Sequence, residues 1–400
     1  MILYGFVGFL SVWTLHFSKN NHRRAFLLKF LFFNVQIYGK NLVWKKIFHN
    51  FVDVNQIYAT MEFKKYSSIE NSFNTEFVEQ VRANVPADLR FVVQEKVHGS
   101  NTSFVTDGNE IKFAKRTDLI AENEKFFDYE ELLDRYTPKV KKLYASLKKQ
   151  YKEMDFAIIY GEMFGGAYPH KEIKKDARFS AIQKGVYYCP NHEFYGFDIY
   201  ISEPSGKHYL SVEETNKFFE ANGFLYAKTL FEGTLEECLA YPNKFPSLIS
   251  QWLGYPQIED NICEGVVIRP VVPTYIGYGD RVLIKNKNER FAEKKGYKKH
   301  PKVPKEESVY SDGLNALIAK GSLYVTENRL NNVISHIGEV SMPKDLGRLI
   351  GMYSKDIVED LVKDSSADYN SLEKPEQKLL NKEINQMATT LIKKTFKIIS

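Results

Sequence analysis

Three residues, Asp107-Gly108-Asn109, separate two β-rich runs, Thr102–Thr106 and Glu110–Lys115. So short a link joins antiparallel neighbours, because parallel strands need a crossover of a dozen residues or more. Phe91–Glu95, Phe156–Tyr160, Phe194–Ile201, Gly265–Ile268 and Arg281–Ile284 read as further short strands, Phe156–Tyr160 ending at Gly161-Glu162. Long insertions separate them without a βαβ rhythm. The expected class is therefore α+β, with packed antiparallel sheets flanked by helices. Tyr129–Lys152 carries Leu, Lys and Glu at helical spacing, with Pro138 as a break.

With 400 residues, 44% hydrophobic and 26% charged, the chain is long enough for two cores. A net charge of +5 permits nucleic acid as a partner without requiring it. Cys189, Cys238 and Cys263 lie far apart with no Cys-x-x-Cys, which argues against a disulfide scaffold or structural zinc site and for a reducing compartment. Residues 1–60 hold seven Lys/Arg and one acid, Asp53. Their apolar runs, Met1–Phe17 and Leu27–Val35, are marginal or too short to span a bilayer. Three readings stay open: an anchor, a mitochondrial presequence around Arg23 and Arg24, or an upstream extension with Met61 beginning the functional protein. Cytoplasmic localisation is expected, or mitochondrial if the presequence reading holds. Lys294–Tyr310, with six lysines and two prolines, reads as a linker. Beyond it Asp312–Ile318, Thr326–Ile337, Pro343–Val362 and Pro375–Ile399 have helical spacing. The expected division is 1–60, 61–305 and a small all-helical domain over 306–400.

Lys96-Val97-His98-Gly99-Ser100-Asn101 closes the first β-rich run. A lysine there reads as a nucleophile toward phosphate, with Gly99 letting backbone approach a nucleotide and polar neighbours holding ribose and phosphate. Four segments follow it: Tyr160-Gly161-Glu162, Phe194-Tyr195-Gly196-Phe197-Asp198, Glu264–Pro270 and Val282–Lys287. An attacking amine must be neutral, yet lysine titrates near ~10.4; lowering that by about three units costs ~4 kcal/mol. Burial alone does not comfortably supply this at a polar site, and nearby cations can. Lys285 and Lys287, two apart on an expected strand, point to one face and can both depress Lys96 and receive charge on the α-phosphate. The bland alternatives are a solvated strand-end lysine at 96 and an ordinary charged face at 285 and 287. Gly165-Gly166 reads as a turn, lacking the lysine of a P-loop.

These five segments, in this order, closely resemble motifs I, III, IIIa, IV and V of the covalent nucleotidyltransferases, the superfamily of nucleic-acid ligases and capping enzymes. DNA ligases and capping enzymes have aspartate where this chain has His98. The K-x-H-G-x-N form resembles the phage-type RNA ligase 2 family, which includes the kinetoplastid RNA-editing ligases. Phe63–Asn71 looks like that family's amino terminus, which favours Met61 as the start. Ala114-Lys115-Arg116-Thr117 and Val325–Ser335 are similar to its segment after the lysine and to its C-terminal RNA-binding domain.

The resemblance implies an ATP-dependent RNA ligase with a nucleotidyltransferase domain over 61–305 and RNA contacts from 306–400. Lys96 would be adenylylated, then pass AMP to an RNA 5′-phosphate, which a 3′-hydroxyl attacks. Glu95 and Phe197 would hold adenine, Phe197 by stacking; Glu162 would bind ribose, and Arg116 a ribose or RNA phosphate. His98 and Asn101 would help position phosphate and ribose. Glu264 would act in the environment of magnesium (or manganese), with Asp198 nearby. Arg269 stands where the family usually shows lysine, and a planar fork does not replace an ammonium geometrically. Arg329, Asn331 and Asn332 would contact RNA or face solvent. The implied substrate is a nicked duplex for RNA repair, acted on by a monomer. The rival readings are a non-catalytic RNA-binding protein with a ligase fold, and a DNA ligase or capping-type enzyme, against which His98 and the helical C-terminus argue.

Overall fold

The computed structural model describes residues 61–277, 279–293 and 310–398. The expectations for residues 1–60 and for most of the 294–310 linker lie outside the described residues. Strands run as β1 (Glu70–Asn71), β2 (Phe91–Lys96), β3 (Ser100–Thr106), β4 (Ile111–Lys115), β5 (Phe156–Gly165), β6 (His192–Glu203) and β7 (Gly206–Tyr209). They continue as β8 (Leu225–Tyr226), β9 (Thr229–Gly233), β10 (Gly265–Pro270), β11 (Tyr275–Ile276), β12 (Asp280–Arg281) and β13 (Ile284–Lys287).

Two main sheets form. One has the order β1-β13-β10-β2-β9, the other β4-β3-β5-β6-β7 with β8 beside β6. Pairing is antiparallel, as the 107–109 turn demands between β3 and β4, except for β1 on β13 and β8 on β6. β5 does not stop at Gly161-Glu162: the ladder to β6 shifts register at Tyr160/Gly161 and runs on to Gly165. A side chain at 161 would put Cβ 2.2 Å from the Phe194 ring, so glycine there lets β6 press close rather than ending the strand. Gly165 and Gly166, with φ of 101° and 86°, make the expected turn.

Helices α1 (Thr75–Asn84), α2 (Tyr129–Gln150), α3 (Val212–Ala221), α4 (Leu235–Leu239) and α5 (Ile249–Trp252) flank the sheets. Pro138 does not break α2, contrary to expectation. Interior proline costs ~3 kcal/mol. Against it, α2 buries Leu132, Tyr136, Val140, Leu143 and Leu147 in the core with Phe104 and Phe194, each contributing about 1.5–3 kcal/mol. The stripe wins.

The C-terminal part is helical: α6 (Asp312–Ser322), α7 (Glu327–Ile337), α8 (Leu346–Asp364), α9 (Ser366–Ser371) and α10 (Lys374–Thr395). Its apolar spacing closes a separate core, including Leu330, Tyr353, Ile357, Leu361, Leu380 and Ile384. Residues from Met61 onward nonetheless form one compact unit. α7 is capped by Thr326, whose Oγ1 accepts from Arg329 N at 3.2 Å, and it lies against β3, where Ser100 Oγ donates to Ser335 O at 2.5 Å. Among the described residues no helix is long and apolar enough to cross a membrane.

Candidate active site

β10 is the axis of the site. Its first residue, Gly265, pairs with Lys96 on β2 and with Lys287 on β13, so the two lysines form one row across three strands. Their backbones are roughly 10 Å apart, two strand spacings, and only long side chains can converge. They converge on Glu264, just before that row: Lys96 Nζ lies 2.8 Å from Oε2 and Lys287 Nζ 2.7 Å from Oε1. His98 Nδ1 is 3.6 Å from the same Oε2. Glu264 is fully buried, yet Lys287, Lys96 and His98 hold its carboxyl well below the usual carboxylate range. Each carboxylate oxygen of Glu264 is thus held by a different lysine.

Lys96, Asn101, Arg116, Glu162, Phe197, Arg269, Lys285 and Lys287 all line one cavity of about 560 Å³, a size ordinary for a small-molecule site. Asn101 is opposite Glu162 in the β3–β5 ladder. Burial, joined by Glu264 and opposed by Lys96 and Arg116, pushes the Glu162 carboxyl up to about 7. Burial also lowers Lys285, helped by Lys287 and Lys96 against Glu293.

Several expectations change. The two later lysines do not face Lys96 as bare charges: Lys287 is raised by Glu264 and by Glu293, which accepts a hydrogen bond from its ammonium. Glu95 lines the cavity, but both carboxylate oxygens are taken, by Ser247 Oγ at 2.6 Å and Leu248 N at 2.9 Å. Burial pushes this carboxyl up to about 7 against those bonds. These two bonds brace the pocket wall. Gly99 permits a close approach to β5 rather than to a nucleotide, since a Cβ there would sit 2.3 Å from Met163 O.

Asp198 is not in the cavity. Strand alternation turns it away from Phe197, and it is 0% exposed, bound by Arg281 Nη1 at 2.7 Å, Arg269 Nη2 at 3.2 Å and Tyr66 OH at 2.9 Å. Arg269 also donates through Nη1 to Phe197 O at 3.0 Å. A fork that clasps a carbonyl and a carboxylate together explains arginine there better than a phosphate contact does. It fixes Phe197 from behind.

Reading the sequence missed two participants, Glu293 and His336, and misplaced a third residue, Arg329. Glu293 follows β13 closely and pairs with Lys287. His336, on α7, lines the cavity and is lowered to about 3 by burial, then by Arg116, so it is neutral. Arg329 neither touches solvent nor is free for RNA: it is 2% exposed and ion-paired to Asp356 at 2.5 Å and Asp360 at 2.7 Å on α8. Only the periodicity of α7 hinted at its inward face.

Among the described residues no group of three or more His, Cys, Asp or Glu gathers at metal-holding distances. Glu264, a buried carboxylate with Oε1 paired to Lys287 at 2.7 Å and Oε2 to Lys96 at 2.8 Å, still fits magnesium, which is held through one or two carboxylates together with substrate phosphates.

Residues 89–287 match the family model described as RNA ligase, and residues 308–390 that described as T4 RNA ligase 2 C-terminal. Two curated relatives from Trypanosoma brucei brucei, RNA-editing ligase 2, mitochondrial, and RNA-editing ligase 1, mitochondrial, are each 28% identical. The alignments cover 76% and 70% of this chain and 84% and 71% of theirs. A solved Naegleria gruberi RNA ligase, a lysine-to-alanine mutant with ATP and Mn, is 16% identical over 58% of this chain, with a TM-score of 0.38. The chain spans 59% of that structure's length, and the likeness is too slight to carry weight.

Proposed function

We propose, for a chain that belongs to the RNA ligase 2 family, that it joins RNA ends at the expense of ATP through a lysyl adenylate on Lys96. The observation that carries the reading is the row Lys96–Gly265–Lys287, with Lys285 and Glu162 opening into the same cavity. In the first step Lys96 Nζ bonds to the α-phosphorus of ATP, and the bond to the departing pyrophosphate breaks. Lys285 and Lys287 receive the charge that builds on the α-phosphate oxygens. Phe197, clasped by Arg269, offers its ring to the base, while Glu162 faces the ribose. AMP then moves to an RNA 5′-phosphate, and a 3′-hydroxyl displaces it. Magnesium (or manganese), held by Glu264 and the phosphates, would reduce the repulsion between nucleotide and incoming nucleophile.

Incubation with α-labelled ATP and magnesium tests the reading. A labelled band in the wild-type chain that vanishes in Lys96→Ala supports it. No band, or one that persists in the variant, defeats it. A nicked RNA duplex is the favoured substrate, and faster sealing of such nicks than of single strands by a monomeric species is the expected outcome. The relatives' names favour the mitochondrial alternative for residues 1–60 over a cytoplasmic protein. Fusing those residues to a fluorescent reporter tests that.

A further inference from the structure

Glu293 has more partners than a surface carboxylate needs. Its Oε1 accepts from Lys287 Nζ, Asn332 Nδ2 reaches the same oxygen at 3.4 Å, and Arg329 Nη2 stands 3.9 Å from Oε2. Its backbone is pinned as well: Thr326 Oγ1 donates to Glu293 O at 3.1 Å, and Asn328 Nδ2 donates to Arg290 O and Ala292 O at 3.0 Å. All four of these residues come from the N-terminal cap and first turns of α7. One carboxylate thus touches the lysine row on one side and the helical region on the other.

That arrangement creates a competition. Lys287 cannot give its full charge to a phosphate while two carboxylates hold it, and Glu264 is needed beside Lys96. Glu293 is the partner that can be released, because Arg329 and Asn332 already stand beside it. We propose that Glu293 is a positioning residue: it holds Lys287 while the pocket lacks nucleotide, yields that ammonium to the α-phosphate, and is then retained by Arg329 and Asn332 on α7. Nucleotide binding is thereby felt by the helical region. The proposal rests on the adenylylation reading above and names a control within it.

The full-length chain tests it with the α,β-methylene analogue of ATP, which binds without reacting. Glu293→Gln removes the competing charge and should tighten analogue binding about five-fold, the factor for a partly buried ion pair of ordinary strength. Asn332→Ala removes the alternative partner and should weaken binding about two-fold. Opposite signs from neighbouring sites are not what general damage produces, and melting curves check the fold of each. Amide exchange over residues 326–337 should slow on analogue binding in the wild type and not in Glu293→Gln. Unchanged or weakened binding in Glu293→Gln overturns the proposal, as does identical exchange in both proteins. If the wild-type chain neither labels at Lys96 nor binds the analogue, the adenylylation reading itself fails. If it labels normally while Glu293→Gln binds like wild type, only Glu293's role falls.

Discussion

Replacing Asp198 by Asn is the sharpest probe of what holds the Phe197 wall of the cavity. The carboxylate is wholly buried between two guanidiniums that are themselves 3% and 5% exposed, and Tyr66 adds a third donor. Asparagine keeps the volume but loses the charge and turns a donor toward donors. Removing one partner of a buried ion pair costs about 3–5 kcal/mol, because the other charge is left without compensation. Here two are left, and Arg281 keeps the faces of Tyr209, 3.8 Å from the ring centroid, and of Tyr66, 5.7 Å away. A loss of that size is a large share of the roughly 5–15 kcal/mol that stabilises a domain. Urea unfolding at pH 7 reads it directly. Acid provides a second arm. Arg269 and Arg281 overcome burial and hold this carboxyl below its usual value of 3.8. Its contribution is therefore complete above that value and lost as pH falls through the lower, folded one. Asp198→Asn should flatten the part of the wild-type acid transition that lies below about pH 4. Because Arg269 also grips Phe197 O, the variant should bind ATP more weakly. A loss below about 1 kcal/mol, with the acid transition unmoved, would refute the view that this network organises the site.

Other outcomes follow from the same geometry. Lys287→Ala should slow adenylylation about a hundredfold or more at saturating ATP, read from label incorporation over time. Glu95, raised to about 7, keeps a proton in the folded chain that the unfolded chain releases from about 4.5 upward, so its cost to stability grows between those values. Glu95→Gln should then gain on wild type as pH rises through that window, by at most about 3 kcal/mol, in denaturant titrations at pH 4 and 8. Gly99→Ala forces a Cβ against Met163 O and should cost about 1–3 kcal/mol and weaken ATP binding through Glu162, seen in melting and nucleotide titration. Pro138→Ala restores a helical hydrogen bond inside α2 and should add about 1–2 kcal/mol in urea unfolding.

Much of this architecture could be read from residues alone where a local rule decides it. The 107–109 turn dictates antiparallel pairing, and two lysines separated by one residue must share a strand face, as β13 shows. The C-terminal helices follow from apolar residues at three- and four-residue spacing, which close a core of their own. Misreadings came where a local rule met a distant partner. Pro138 sits in a helix because five buried neighbours outweigh it. Adjacency made Asp198 look like a companion of Phe197 in the pocket, whereas period-two alternation sends neighbours to opposite faces, and its partner Arg281 lies 83 residues away. Glu293 and His336 carry no signature of their own. Their importance comes from which side chains the fold brings beside them.

The parallel pairing of Glu70–Asn71 with Ile284–Lys287 has a consequence for how the chain is made. The strand bearing both lysines is among the last of its sheet to leave the ribosome, and it must find a partner synthesised more than two hundred residues earlier. Until then Lys96 waits in an unfinished sheet. Pairings between such distant segments form slowly, so this chain is most exposed to misassociation during the interval before residue 284 emerges.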